Sequence, residues 1–300
     1  MFKKFKATFI GDRTFYRSLM VLLVPMVIQQ GITNFVSLLD NVMVGRLGTE
    51  SMSGVAIVNQ LLFVFNLTVF GGLAGASIFG AQFFGKGDHH GVRAAFRFKI
   101  IFSTVMTVLA IVLLAVFGRP LIELFLTDDG SGGDLAQTLS EAENYLFVMF
   151  FGLVPFAFSQ SYSSTLRETG ETVSPMTASI LAIGAAIATV ISRYVEAAYL
   201  MVQTHRHPDR YPFIVDAFRS LRIPGDIVRR ILVTGTPLVL NELLWSIGTT
   251  MVNQSYSTRG LTVVAATNIT NTAWNLFCVI MFAMGNAVSI LIGQKLGAGE

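Results

Sequence analysis

Two carboxylates stand where carboxylates are costly. Asp40 lies in the run NFVSLLDNVMVG, and Glu242 follows Pro237 by five residues in TGTPLVLNELLWSIG; both runs sit inside long apolar stretches. A charged side chain at the centre of a bilayer costs about 2.5–3.5 kcal/mol on insertion scales, so intramembrane acids face a cavity and bind or relay an ion. The chemistry open to them is reversible capture of H+ or Na+, which makes Asp40 and Glu242 the candidate cation-coupling residues. Asp40 has a competing structural reading, hydrogen-bonded to neighbouring helices or exposed at an outer mouth. Glu242 can hold Na+ together with oxygen donors such as Asn241 or Thr250, face a cationic solute, or pair with Arg229 or Arg230 at the inner boundary. No metal is expected beyond Na+ at one of these two acids.

Amides come next. Asn59, Gln60, Asn66, Asn268, Asn271 and Asn275 form polar rows in apolar segments, where such side chains join helices through hydrogen bonds. Asn41, Asn59, Asn241 and Asn271 are also candidates to line a central cavity. Arg193 and Glu196 are three apart, one helical step, and are expected to pair. Pro25, Pro155 and Pro237 fall within spans, where each removes a backbone hydrogen bond and bends the helix. His89, His90, His205 and His207 lie among Arg and Lys and read as solvated loop residues. Cys278 is the single cysteine, so an intramolecular disulfide is excluded. There is no HExxH, GxSxG or DDxxD, and the run GGLAGASIFGAQFFGKG lacks the lysine–hydroxyl ending of a phosphate loop. The sequence is read as that of a non-enzyme.

The elements that position these groups are membrane helices. Hydrophobic residues make up 53% of the chain and charged ones 13%, about half the charge of a soluble domain. Apolar spans are read at 18–44, 53–83, 95–117, 140–164, 229–256 and 262–294, with a further apolar block at 173–203. With the N-terminus in the cytoplasm, Lys3, Lys4, Lys6, Arg13 and Arg17 fall inside. Lys86, Arg93, Arg97, Lys99, Arg167, the basic stretch 205–230 and Lys295 fall there too. The outer loop with Asp128, Asp129 and Asp134 is acidic. This asymmetry sets the orientation of a multi-pass inner (plasma) membrane protein. It requires the block 173–203 to cross twice, although two crossings need about 20 apolar residues each. A shortening of about 15–25 residues near Ile183–Ala185 is inferred, against the alternative of one long tilted helix.

Residues 17–88 recur at 229–300 with a constant offset of 212, pairing Arg17 with Arg229, Pro25 with Pro237, Gly48 with Gly260, Asn59 with Asn271 and Gln82 with Gln294. Repeated halves suit a secondary transporter whose bundles rock about a central site. The expected fold is therefore an all-α polytopic membrane helix bundle. An N-terminal six-helix lobe (1–204, its fifth and sixth helices shortened) precedes a cytoplasmic inter-lobe linker (205–228). The first two helices of a second, repeat-related lobe follow at 229–300. The second copy stops after two spans, so the chain reads as incomplete.

Three segments in order resemble the multidrug and toxic compound extrusion (MATE) family. VPMVIQQGITNFVSLLDNVMVGRLG is similar to its opening helix, with Pro25 and Asp40. GAQFFGKGD, with Gln82, resembles its step into the third helix. LRETGETVSPM resembles its Arg-x-x-Gly-acid-Thr signature, carried by Arg167, Gly170, Glu171, Thr172 and Pro175. The resemblance implies two six-helix lobes opening alternately to either face. It implies export of cationic or amphipathic compounds in exchange for H+ or Na+, with Asp40 in the N-terminal cation site and Glu242 matching a seventh-helix glutamate. Pro25, Pro237, Gln82, Gln294, Arg167 and Gly170 are then family-motif or structural residues. The implied partners are small cationic or amphipathic solutes and the lipid bilayer, with no nucleic acid and no cofactor besides the coupling ion, the chain acting as a monomer. Two alternatives stand beside this one: a lipid-linked sugar flippase of the same superfamily, and an inactive truncated membrane remnant.

Overall fold

A computed structural model describes residues 12–46, 48–126, 134–184 and 189–299. Its helices are α1 (Arg13–Gly45), α2 (Thr49–Gly85), α3 (His89–Glu123), α4 (Leu135–Glu168), α5 (Val173–Gly184), α6 (Thr189–Arg206), α7 (Gly225–Ser257), α8 (Leu261–Phe277) and α9 (Val279–Ala298), with a 3-10 turn at Pro212–Ile214. No strand occurs among the described residues. Six helices, α1 to α4, α7 and α9, are long and apolar enough to cross a membrane. Their outer faces fit that solvent: Val105, Val108, Val112 and Val116, one stripe of α3, are each more than half exposed. Such a stripe in water would be an aggregation site. The molecule is an all-helical membrane protein.

Short polar residues start and stop the helices. Asp12, Asp88 and Asp134 cap α1, α3 and α4 by accepting from Phe15 N (2.7 Å), Gly91 N (2.9 Å) and Gln137 N (2.9 Å), which satisfies orphan donors of the first turn. The ends of α4 and α5 explain the signature LRETGETVSP. Gly170 at φ 81 closes α4, with Gly170 N donating to Arg167 O (3.0 Å) and Glu171 N to Leu166 O (2.9 Å), a Schellman turn. Glu171 then caps α5 by accepting from Ser174 N at 3.1 Å. Helix bounds recur along the chain: α1 spans 13–45 and α7 spans 225–257, while left-handed Gly48 and Gly260 precede α2 and α8.

One expectation changes, and one alternative falls. The span read as 262–294 is not one helix: it breaks at Cys278 into α8 and α9. The cause lies on α1, where Asn34 Nδ2 donates to Asn275 O at 2.9 Å. That carbonyl is the one the Val279 N–H would use, and a side chain inserted in the ladder bends a helix. The block 173–203 is not one long helix either. α5 and α6 pack antiparallel, with Ser179 Oγ donating to Glu196 Oε1 at 3.4 Å and, nearer the other end, Ser174 Oγ and Tyr211 OH 3.1 Å apart. The 12 residues of α5 rise about 18 Å, well short of the hydrocarbon core. The shortening inferred near Ile183–Ala185 falls at the edge of residues 185–188, which lie outside the described residues.

Everything gathers on α2, which packs against α1, α3, α4, α7, α8 and α9. Its glycines permit this. A Cβ at Gly75 would stand 2.5 Å from the Cα of Gly235 on α7, so the two backbones nearly touch. Toward one end of the bundle a Cβ at Gly85 would strike the backbone of Gln294 on α9, and one at Gly297 would strike the backbone of Gln82 on α2. The segment after α6 is also pinned down. The Arg97 guanidinium donates to the carbonyls of Ala217 (2.8 Å), Asp216 (2.6 Å) and Arg222 (3.1 Å), holding the stretch before α7 against α3.

Substituting Gly75→Leu forces α2 and α7 apart and is expected to cost roughly 1–3 kcal/mol, read as a lower melting temperature in detergent. Gly31→Ala, with nothing within 4 Å of the added carbon, is expected to leave melting unchanged or raise it slightly. Equal melting of Gly75→Leu and the parent chain would contradict the close crossing.

Candidate functional site

A cavity of about 440 Å³ lies between α1, α2, α4, α6 and α9. Apolar walls come from Phe63, Phe70, Leu73, Phe156 and Ile290, and polar groups from Gln29, Gln30, Asn66, Gln160, Ser164 and Asn286. Four charged residues also reach it: Arg167 and Glu168 at the end of α4, and Arg193 and Glu196 on α6. An apolar pocket with a few convergent polar groups is the usual form of a small-molecule site.

Asp40 stands half-buried on α1, beside this cavity rather than in its lining. It accepts a hydrogen bond from Thr189 Oγ1 at 3.3 Å, and the Arg193 charge acts on it. Tyr145 on α4 also feels both charges and donates to Asn59 Oδ1 at 3.3 Å. Asp40, Thr189, Arg193, Tyr145 and Asn59 thus form one cluster from four helices. Arg193 joins cluster to cavity. Its guanidinium lies 4.9 Å over the Phe156 ring and 3.8 Å from Glu196 Oε2, the i,i+3 pair expected from the sequence.

Glu242 is not brought to Asp40. It packs on α7 against Gly71 of α2, whose Cβ would lie 3.1 Å from its Cγ. It forms no ion pair with Arg229 or Arg230 among the described residues. Asn241 is exposed on another face, and Thr250 is engaged with Gln60 Nε2 (2.8 Å) and Ser246 O (2.8 Å); neither donor joins Glu242. The other amides mostly tie helices together. Asn41 donates to Thr272 Oγ1 (2.7 Å) and accepts from Asn268 (3.0 Å), and Asn253 donates to Gln60 Oε1 (2.6 Å). Asn271 lines a pocket of about 40 Å³ between α2, α7 and α8. None of Asn41, Asn59, Asn241 and Asn271 lines the large cavity, whereas Asn66 and Asn286 do. Pro25 and Pro237 sit inside α1 and α7. Gln294 donates to Glu168 O at 2.7 Å, so it braces the end of α4.

Lys99, counted from the sequence among the cytoplasmic-side charges at the start of the 95–117 span, is fully buried inside α3 and ion-paired with Glu168, which is 1% exposed. Thr165 Oγ1 accepts from Nζ at 3.2 Å. The α2 backbone makes room for the acid at Gly80, where a Cβ would collide with Glu168 Oε2. Hydropathy counts each charge singly, so a buried pair 69 residues apart in sequence gives no signal. Arg167, expected as a family-motif or structural residue, lies in the last turn of α4 and lines the cavity.

Membrane-length helices around a largely apolar cavity with a few polar groups define a polytopic helical membrane protein. The MatE family model matches residues 25–192 and 237–300; the chain belongs to this family of MATE transporters. It is 24% identical over 310 aligned residues to the probable multidrug resistance protein YoeA of Bacillus subtilis (strain 168), covering 95% of this chain and 65% of that protein. It is 23% identical to the probable multidrug resistance protein NorM of Thermotoga maritima, covering 87% of this chain and 59% of that one. The chain thus spans less than two thirds of the length of these relatives. The fold superposes with a TM-score of 0.74 on a crystal structure of MATE in the bent conformation, at 22% identity and covering 96% of this chain and 66% of that one.

Replacing Lys99 by Met leaves the Glu168 carboxylate buried without its partner and is expected to cost about 3–5 kcal/mol. Adding Glu168→Leu to that variant is expected to recover most of the loss, because apolar replacement of a whole buried pair is near neutral. Thermal melting in detergent of the two single variants and the double variant checks this.

Proposed function

We propose that the chain is the N-terminal lobe and the beginning of the second lobe of a secondary antiporter. In this reading it exports cationic or amphipathic compounds by alternating access, driven by an inward cation gradient. The family supports efflux, and the two matched segments begin at Pro25 and Pro237, the spacing of the sequence repeat. The N-terminus is taken as cytoplasmic on the charge asymmetry of the loops.

One observation carries the coupling role. Asp40 is linked to the cavity through Arg193, a residue that feels the Asp40 charge, stacks on Phe156 and neighbours Glu196. Protonation of Asp40 frees Arg193 to engage Glu196 or a solute, and deprotonation draws it back. H+ suits this cluster better than Na+, because the cationic guanidinium already stands where it would repel a bound metal cation. Asp40 accepts a single hydroxyl hydrogen bond from Thr189, which suits a group that gains and loses a proton. Glu242, remote from this cluster, is assigned to a separate cation or solute contact on the second lobe.

Cells producing the protein are expected to extrude ethidium. Asp40→Asn is expected to lower that efflux at least about tenfold, the scale of a lost charge-assisted contact, at unchanged membrane abundance. Efflux should follow an imposed pH gradient without Na+. Undiminished efflux by Asp40→Asn would remove that residue from the mechanism.

A further inference from the structure

Arg167 is a half-buried cation whose guanidinium forms no ion pair among the described residues. Its Nε is fully buried and makes no hydrogen bond. The acids whose charges reach it are Glu196 and Glu168; Glu168 pairs with Lys99 through Oε1 while its Oε2 is buried without a hydrogen bond, and Glu196 pairs with Arg193 and accepts from Ser179. The side chain is on the wall of the 440 Å³ cavity, beside Ser164, whose hydroxyl is also buried and unpartnered. A guanidinium presents five donors and stays charged, so this one keeps donors free on the cavity wall. The rest of the signature around it needs no ligand: Gly170 and Glu171 are fully used in the turn and cap that join α4 to α5.

We propose that Arg167 is a specificity residue that receives an anionic group, carboxylate or phosphate, of an amphipathic solute held in this cavity. This rests on the efflux reading and extends its substrate class to compounds that carry a negative group beside an apolar body. The planar fork suits such a group because it can donate two parallel hydrogen bonds. Ser164 Oγ adds a hydroxyl donor from the preceding turn. Phe156 and Phe70 supply apolar walls in the same cavity.

The test uses a matched pair of dyes, tetramethylrhodamine and its methyl ester, which share the cationic ring system and differ in the free carboxylate. Binding to the purified chain in neutral detergent is followed by fluorescence polarisation. The acid is expected to bind about tenfold more tightly than the ester, the scale of one charge-assisted hydrogen bond. Arg167→Gln should bring the acid-to-ester ratio to about one, and Arg167→Lys, which keeps the charge but not the fork, should retain part of the preference. Equal affinities in the parent chain, or an unchanged ratio in Arg167→Gln, would overturn the assignment while leaving the efflux reading intact. Binding of neither dye would overturn both. Displacement of the acid by phosphatidylglycerol but not by benzoate would support the anion site and identify a lipid headgroup as its occupant; the reverse would support it with a soluble solute.

Discussion

In lipid, one apolar helix gains little by touching another, so a bundle coheres where backbones come close or polar groups pair across helices. Here that constraint falls on α2. Its small residues let α7 and α9 approach to backbone contact at Gly75 and Gly85. Its amide Gln60 receives Thr250 and Asn253 as partners from α7. The remaining helices take their places around this axis. The cavity exists because α1, α4, α6 and α9 are each held to α2 or to one another without filling the space between them.

The buried charges follow a common logic. Lys99 and Glu168 neutralise each other in the wall between α3 and α4, Arg193 is shared between Glu196 and Asp40, and Arg97 is absorbed by three carbonyls. Each solution removes a cation from lipid by giving it a local partner, as the cost of an isolated charge demands. Arg167 alone among these lacks one among the described residues. A protein that has satisfied its other deep cations so thoroughly leaves this one available for something that comes and goes.

Much of this was readable in the chain. Apolar length marked the spans, and Asp40 stood out because a carboxylate inside such a run is rare. Arg193 and Glu196 paired as their spacing requires. What could not be read depended on distant contacts. Lys99 looks like a solvated charge at a span end until Glu168 is placed against it. The bend at Cys278 has no Pro or Gly to announce it, since the cause is Asn34 on another helix. Arg167 belongs to a motif whose neighbours do turn chemistry, and spacing does not say which member of a motif points inward. Thr250 and Asn241 are close to Glu242 in sequence, yet helical rotation and the bond from Gln60 put both elsewhere.

The paired crossing of α2 and α9 has a mechanical meaning. Gly85 lies on the backbone of Gln294, and Gly297 lies on the backbone of Gln82, so the same two residue types meet twice in reciprocal fashion. Such a contact is balanced: rotation about it trades one approach for the other, with little net change in packing. It is a fulcrum near one end of two long levers. A tilt of about 10° there displaces helix positions about 30 Å away, the thickness of the hydrocarbon core, by about 5 Å. Small residues at one crossing can therefore set how widely the opposite face of the bundle opens.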